Sequence, residues 1–258
     1  EINTYIVRIL DLIKTDDNNK IYEIWNTIDI INNVINNNYQ HLNKYQKEGY
    51  KNKLQSQIMS LIYPLWITDT LVQKDIFFHN KIQQISSIMT PSFLEITLPQ
   101  ERYYLIENAT NEIRNLDSHY FDSPIKLLCF IYESFNSITV ALKTTDNPNI
   151  EIDYLISTFV YVIIQAQPKN IISICQWIDE MSNPNISRSD ELYYIYTHLL
   201  VCVSYIYNFH PTVTDTLSTI GDSVKSYMYS LPPYYISDYL TFFPKSLFQT
   251  LNLFHRRT

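Results

Sequence analysis

One acid, Asp153, heads a nearly charge-free run that reads Asp153-Tyr-Leu-Ile-Ser-Thr-Phe-Val-Tyr-Val-Ile-Ile-Gln-Ala-Gln-Pro168. A second run, Glu191-Leu-Tyr-Tyr-Ile-Tyr-Thr-His-Leu199, carries Tyr194 and Thr197 and has no charge after its first residue. At i and i+3 the tyrosine and threonine project from one face of a helix. An acid in a first helical turn meets the positive end of the helix dipole. Asp153 therefore has a structural role open to it beside any functional one, and Tyr194 and Thr197 have ordinary places in a helix core. Spacing alone leaves both readings open.

Other chemistries find no support. The 2 glycines in 258 residues, Gly49 and Gly221, lie far apart. A phosphate-cradling Walker loop or a dinucleotide fingerprint needs clustered glycines, so both are excluded. The six histidines, at 41, 79, 119, 198, 210 and 255, form neither His-Glu-x-x-His nor another close metal pairing. Asp16-Asp17-Asn-Asn-Lys20 lacks the third carboxylate of a helical prenyl-diphosphate site, and no Gly-x-Ser-x-Gly elbow is present. No metal and no cofactor are expected. The balance of 26 acidic against 19 basic residues, net -7, disfavours a nucleic-acid or anionic-membrane surface and suits a basic partner patch. Three cysteines, Cys129, Cys175 and Cys202, sit in apolar helical contexts and are expected to be reduced. Asn108-Ala-Thr110 and Asn185-Ile-Ser187 fit a glycosylation sequon, which chance supplies readily in an Asn-rich chain.

Long stretches of 3.6-residue periodicity, few turn glycines and 46% hydrophobic residues predict an all-α fold with a sizeable core. The loop Thr15 to Lys20 separates a short first helix from a second running to about Asn38, with Ile21, Ile24, Ile28, Ile31 and Ile35 on its apolar face. Breaks are expected near Pro64, Pro91 and Pro99. The segment from Pro124 to Leu142 is the clearest helix. Ser123 can cap it, Pro124 suits the first position, and Leu128, Ile131, Phe135, Ile138 and Leu142 recur at 3 and 4. After a loop at 144–149, helices are expected at about 151–166, at 168–181 starting from Pro168, at 188–208 with Ser187 or Ser189 as cap, at 214–230 and at 234–254. In the last, Leu240, Phe243, Leu247, Leu251 and Phe254 form a stripe. The uncharged span Leu192–Thr214 holds several tyrosines and a histidine and is ended by Pro211, so it reads as a buried helix and not a membrane span. Residue 1 is Glu, which suggests a piece of a longer chain, and no basic-then-apolar leader is visible at its start.

Four segments in order resemble a known family. Ser123-Pro-Ile-Lys-Leu-Leu-Cys129 is similar to its Pro-x-x-Lys-hydrophobic-hydrophobic-Cys opening, one residue short in spacing. Asp153 matches the first position of its Asp-Asp-x-Leu-Pro segment, with Tyr154 at the second acid and Ser157 at the proline. Tyr161 to Pro168 follows Tyr-Val-hydrophobic-hydrophobic-x-Ala-x-Pro, with Lys169 for a second proline. Asp190 to Leu199 resembles Gly-Glu-x-x-Tyr-x-x-Thr-x-Leu, with Asp190 for glycine. The family is the Vps-nine domain, the exchange module for early-endosomal Rab GTPases. The likeness covers roughly residues 70–210.

The resemblance implies an N-terminal helical bundle over 1–69, a layered catalytic domain over 70–210 and bracing helices over 211–258. It implies a Rab-family small GTPase as partner, GDP-bound or nucleotide-free, no nucleic acid and no direct insertion into membrane. The working place would be the cytoplasm, with recruitment to endosomal membranes. Asp153 would be an acidic finger that enters the nucleotide site, while Tyr194 and Thr197 would contact the switch regions. Ser157, Tyr161, Pro168, Lys169, His198 and Val201 would line the GTPase-binding surface. Such a protein lowers a release barrier and makes no covalent bond. The alternative is a non-catalytic helical domain that binds a GTPase or serves as a scaffold.

Overall fold

The computed structural model describes residues 2–15, 19–143, 150–182 and 191–209. Among these, the chain forms nine α-helices and one 3-10 turn, with no strand. The helices are α1 (Ile2–Ile13), α2 (Lys20–Asn38), α3 (Lys44–Trp66), α4 (Asp69–Ile85), α5 (Tyr103–His119), α6 (Pro124–Leu142), α7 (Ile152–Ala166), α8 (Ile171–Met181) and α9 (Glu191–Asn208), and the 3-10 turn is Gln100–Arg102. The helices expected at 214–230 and 234–254, the 144–149 loop and the caps Ser187 and Ser189 lie outside the described residues.

Local chemistry starts several helices. Asn43 and Gln46 form a reciprocal capping box at α3, with Gln46 N–H donating to Asn43 Oδ1 at 2.9 Å and Asn43 N–H to Gln46 Oε1 at 3.0 Å. Thr68 Oγ1 accepts from Leu71 N–H at the head of α4. Pro124 occupies the first position of α6, whose missing N–H costs nothing there. Ser123, however, makes no side-chain cap. The neighbouring Asp122 carboxylate accepts the Ser123 N–H at 3.1 Å instead.

Two prolines behave differently from the sequence expectation. Pro64 lies inside the last turn of α3, and the helix continues to Trp66, held by Ile67 N–H to Tyr63 O at 2.9 Å. The break falls at Ile67–Thr68, because one missing donor near a helix end removes a single bond. Pro168 is buried but does not begin α8. The chain leaves α7 through Gln167 in the left-handed region (φ 50°) and turns through Pro168 and Lys169, so the helix starts only at Ile171. Cys175 and Cys202 are buried as expected, whereas Cys129 is exposed, and all three are free thiols.

Helices α1, α2 and α3 pack together at the N-terminal side. Helices α5, α6, α7 and α9 pack on one another, with α8 against α4, α5 and α6. By length and composition α6 is apolar enough to cross a bilayer, yet Leu128, Ile131 and Ile138 are buried against its neighbours, as in the core helix of a globular fold. An aromatic cluster joins the two groups. Tyr63 and Trp66 of α3 meet Trp177 of α8 edge-on, at ring separations of 5.2 and 5.0 Å. Tyr63 Oη donates to Ser173 Oγ at 3.2 Å, and burial above all pushes its phenol up to about 12. Trp66 Nε1 donates to Glu180 at 2.7 Å and Trp25 Nε1 to Met181 O at 3.1 Å. Below them, Asp122 accepts from Ser56 and Lys126 side chains, while its carbonyl accepts from Trp177 Nε1. Burial alone would raise the Asp122 carboxyl, but these donors outweigh it and hold it below the usual range.

Candidate functional site

Helix α7 shows why Asp153 sits where it does. Leu155, Ile156, Phe159, Val160, Val162, Ile163 and Ile164 are buried, which fixes the rotation of the helix about its axis. The remaining half-buried positions are Asp153, Tyr154, Ser157, Tyr161 and Gln165. Four of them recur every fourth residue and form one stripe headed by Asp153. Helix α9 repeats the arrangement. Ile195, Tyr196, Leu199, Cys202, Val203 and Ile206 face inward, and Tyr194, Thr197, Val201 and Ser204 stay half-buried at spacings of 3 and 4.

The two helices pack directly on one another. Cys202 Sγ lies 3.8 Å from Ile156 O, which holds the opening of α7 against α9. Phe135 of α6 sits behind both, 5.9 Å from the Phe159 ring and 5.3 Å from the His198 ring. Asp153, Ser157 and Tyr161 thus share one stripe, and Tyr194, Thr197 and Val201 share the stripe of the adjoining helix.

Each side chain is also constrained individually. Burial raises the pKa of Tyr194, so its phenol stays neutral, and its ring meets His198 edge-on at 4.6 Å. Thr197 Oγ1 donates back to Tyr194 O at 2.6 Å, which commits its proton to its own helix. His198 is only 8% exposed, with Nδ1 2.9 Å from Tyr194 O, and burial lowers its pKa and keeps it neutral. It is buried at the core side of the stripe, its ring packed between Phe135 and Tyr194. Pro168 is buried too, and its carbonyl lies 3.3 Å from His79 Nδ1. Neither residue presents much side chain to a partner. Lys169 is exposed.

Three departures from the family pattern have structural counterparts. Lys169, in place of a second proline, has an N–H, and both oxygens of Asp117 accept it at 2.9 Å. Ser157, in place of proline, leaves the backbone ladder of α7 uninterrupted. Tyr154, in place of an acid, reaches across to the backbone of Thr97.

The start of α8 depends on two carboxylates that sequence reasoning missed. Asp117 of α5 also accepts from Asn170 N–H at 3.1 Å, and Asp75 of α4 accepts from Ile172 N–H at 2.8 Å and Ser173 N–H at 3.2 Å. Both lie at the positive end of α8. Burial raises the Asp75 pKa, hydrogen bonds from Ser173 and Ile172 oppose this, and the Asp117 charge adds to it. The signal was present for Asp75, since Leu71, Asp75, Phe78, Ile82 and Ile85 follow a 4-3-4-3 spacing and an acid on a core stripe demands a partner. Among the described residues no cluster of three or more His, Cys, Asp or Glu side chains is placed to hold a metal ion.

Residues 106–211 match the family model of the Vacuolar sorting protein 9 (VPS9) domain. The match opens inside α5, contains all of α6 to α9, and includes Asp153, Tyr194 and Thr197. A comparison of the chain with curated proteins gives no match. A VPS9 domain implies guanine-nucleotide exchange on Rab GTPases in general, and with it a small GTPase as partner.

Proposed function

We propose that this chain, which carries a VPS9 domain over residues 106–211, releases GDP from an early-endosomal Rab GTPase with Asp153 as its acidic finger. The observation that carries the reading is the pair of half-buried stripes on α7 and α9, one headed by Asp153 and the other holding Tyr194 and Thr197. Asp153 would enter the nucleotide site and pair with the phosphate-binding lysine that GDP otherwise occupies. A carboxylate substitutes there for a phosphate oxygen, because a buried ammonium is costly to leave without a partner. Tyr194 and Thr197 would contact the switch regions, with Ser157, Tyr161 and Val201 lining the groove between. Such a protein would work in the cytoplasm after recruitment to endosomal membranes.

Magnitudes decide how the work is shared. Nanomolar nucleotide binding is worth ~12 kcal/mol, which the emptied GTPase must recover transiently from its partner. A thousandfold faster release needs a barrier lower by roughly 4 kcal/mol. One charge-assisted pair supplies about 1.5–3 kcal/mol, so the apolar groove must provide the remainder. Asp153→Ala is therefore expected to slow release by roughly 10- to 100-fold while association with the GTPase persists. The measurement is release of fluorescent GDP from a panel of purified Rab GTPases with wild type and variant at matched concentration. Acceleration confined to endosomal Rabs and lost in the variant supports the finger. No acceleration on any of them, with both proteins folded, assigns the chain to the non-catalytic binding class.

A further inference from the structure

The residue beside the finger position carries an unusual contact. Tyr154 Oη accepts the Thr97 N–H at 2.7 Å and donates to the Thr97 carbonyl at 2.5 Å, so one hydroxyl takes both backbone groups of a single residue 57 positions earlier. Thr97 belongs to the connection between α4 and α5, and that connection is anchored. Leu94 is 2% and Ile96 6% exposed, and Glu95 between them adopts a left-handed conformation (φ 55°). Backbone bonds from Leu94 to Thr90 O at 3.0 Å and from Ile96 to Pro91 O at 2.8 Å close it on itself. Five residues beyond Thr97, the Arg102 guanidinium donates to the carbonyls of Ala141 and Lys143 at the end of α6. That contact satisfies orphan carbonyls and places a cation at the negative end of the helix. One short segment, 97–102, thus grips the last residues before the α6–α7 connection and the first turn after it.

We propose that Thr97–Arg102 is a strut that sets the position of the first turn of α7, and that Tyr154 is the positioning residue through which it holds Asp153. Tyr154 stands where the family pattern has a second acid, so the strut takes the place of a charge with a neutral hydrogen-bonded clasp. The inference deepens the exchange reading above and rests on it for its functional part. A finger that must reach a fixed lysine gains most from having its backbone fixed beforehand, since misplacement by an ångström is enough to cost a large factor in rate.

The test is Tyr154→Phe, which keeps the ring and removes the hydroxyl alone. Two readouts are taken on the full chain. Hydrogen exchange of the amides at 153–157 reports the clasp directly and does not depend on any GTPase. It should rise in the variant while exchange within α9 stays as in wild type. Exchange kinetics against GTPase concentration report the functional part. The maximal rate of GDP release should fall about tenfold with the half-saturating concentration unchanged, a split that a general loss of fold would not give. Unchanged amide exchange at 153–157 overturns the strut. Faster amide exchange with an unchanged maximal rate overturns the positioning role. If wild type releases no GDP from any GTPase, the exchange reading fails and the positioning role falls with it, while the amide exchange still decides the strut.

Discussion

Burial sets the protonation of His198, and through it a pH dependence confined to one side chain. The imidazole is enclosed by Phe135 and Tyr194, and desolvation lowers its pKa from the ordinary 6.5. In the unfolded chain the same group protonates as the pH falls through 6.5, whereas the folded protein resists the proton. The unfolded state then binds more protons, so stability is lost as pH drops below that value. His198→Phe keeps an aromatic ring in the site and removes the titration. Thermal unfolding from about pH 7.5 to 5.5 should show the wild-type midpoint falling on acidification and the variant falling less. Identical slopes in the two proteins would refute the assignment. The resemblance placed His198 on the GTPase-binding surface with Val201, yet one residue past Thr197 a helix has turned by about 100°, and the side chain is buried against Phe135 and Tyr194.

At the scale of elements, the start of α8 is held from two sides, by Asp117, which accepts from the Lys169 and Asn170 N–H groups, and by Asp75, whose donors begin two residues further on at Ile172. Asp117→Ala removes a charged acceptor from the Lys169 and Asn170 N–H groups and is expected to destabilise by about 1.5–3 kcal/mol in urea unfolding. Lys169→Pro restores the family's proline and deletes one of those donors. In that background the Asp117→Ala cost should shrink, and a double-mutant cycle measures the difference; additive costs would mean that the Lys169 bond carries no weight. The boundaries of α6 were legible because Pro124 and a 3–4 apolar repeat are local signals. The opening of α7 was legible for the same reason. The delayed start of α8 was not, because it depends on acceptors about 50 to 100 residues away whose approach is decided by packing. The Tyr154 clasp escaped notice likewise, since its partner is a backbone that any residue supplies.

For the molecule as a whole, the question is whether the N-terminal helices brace the proposed α7–α9 exchange surface or take part in it. They reach the matched domain through α8, where Tyr63 and Trp66 meet Trp177 edge-on and donate to Ser173 and Glu180, through Trp25, which donates to Met181 O, and through Ser56, which donates to Asp122. Helices α7 and α9 pack instead on each other and on α6, and α7 also on α5. Stability and exchange should therefore separate when a bracing contact alone is removed. Trp25 is 3% exposed, and Trp25→Phe leaves an aromatic ring in place while stranding the Met181 carbonyl. The expected cost is about 1–3 kcal/mol in chemical unfolding. GDP release measured well below the unfolding midpoint should match wild type, because the lost bond lies at the far end of α8 from the turn that follows α7. Slower release at equal folded fraction would instead mean that the N-terminal helices transmit their packing through α8 to the α7–α9 surface.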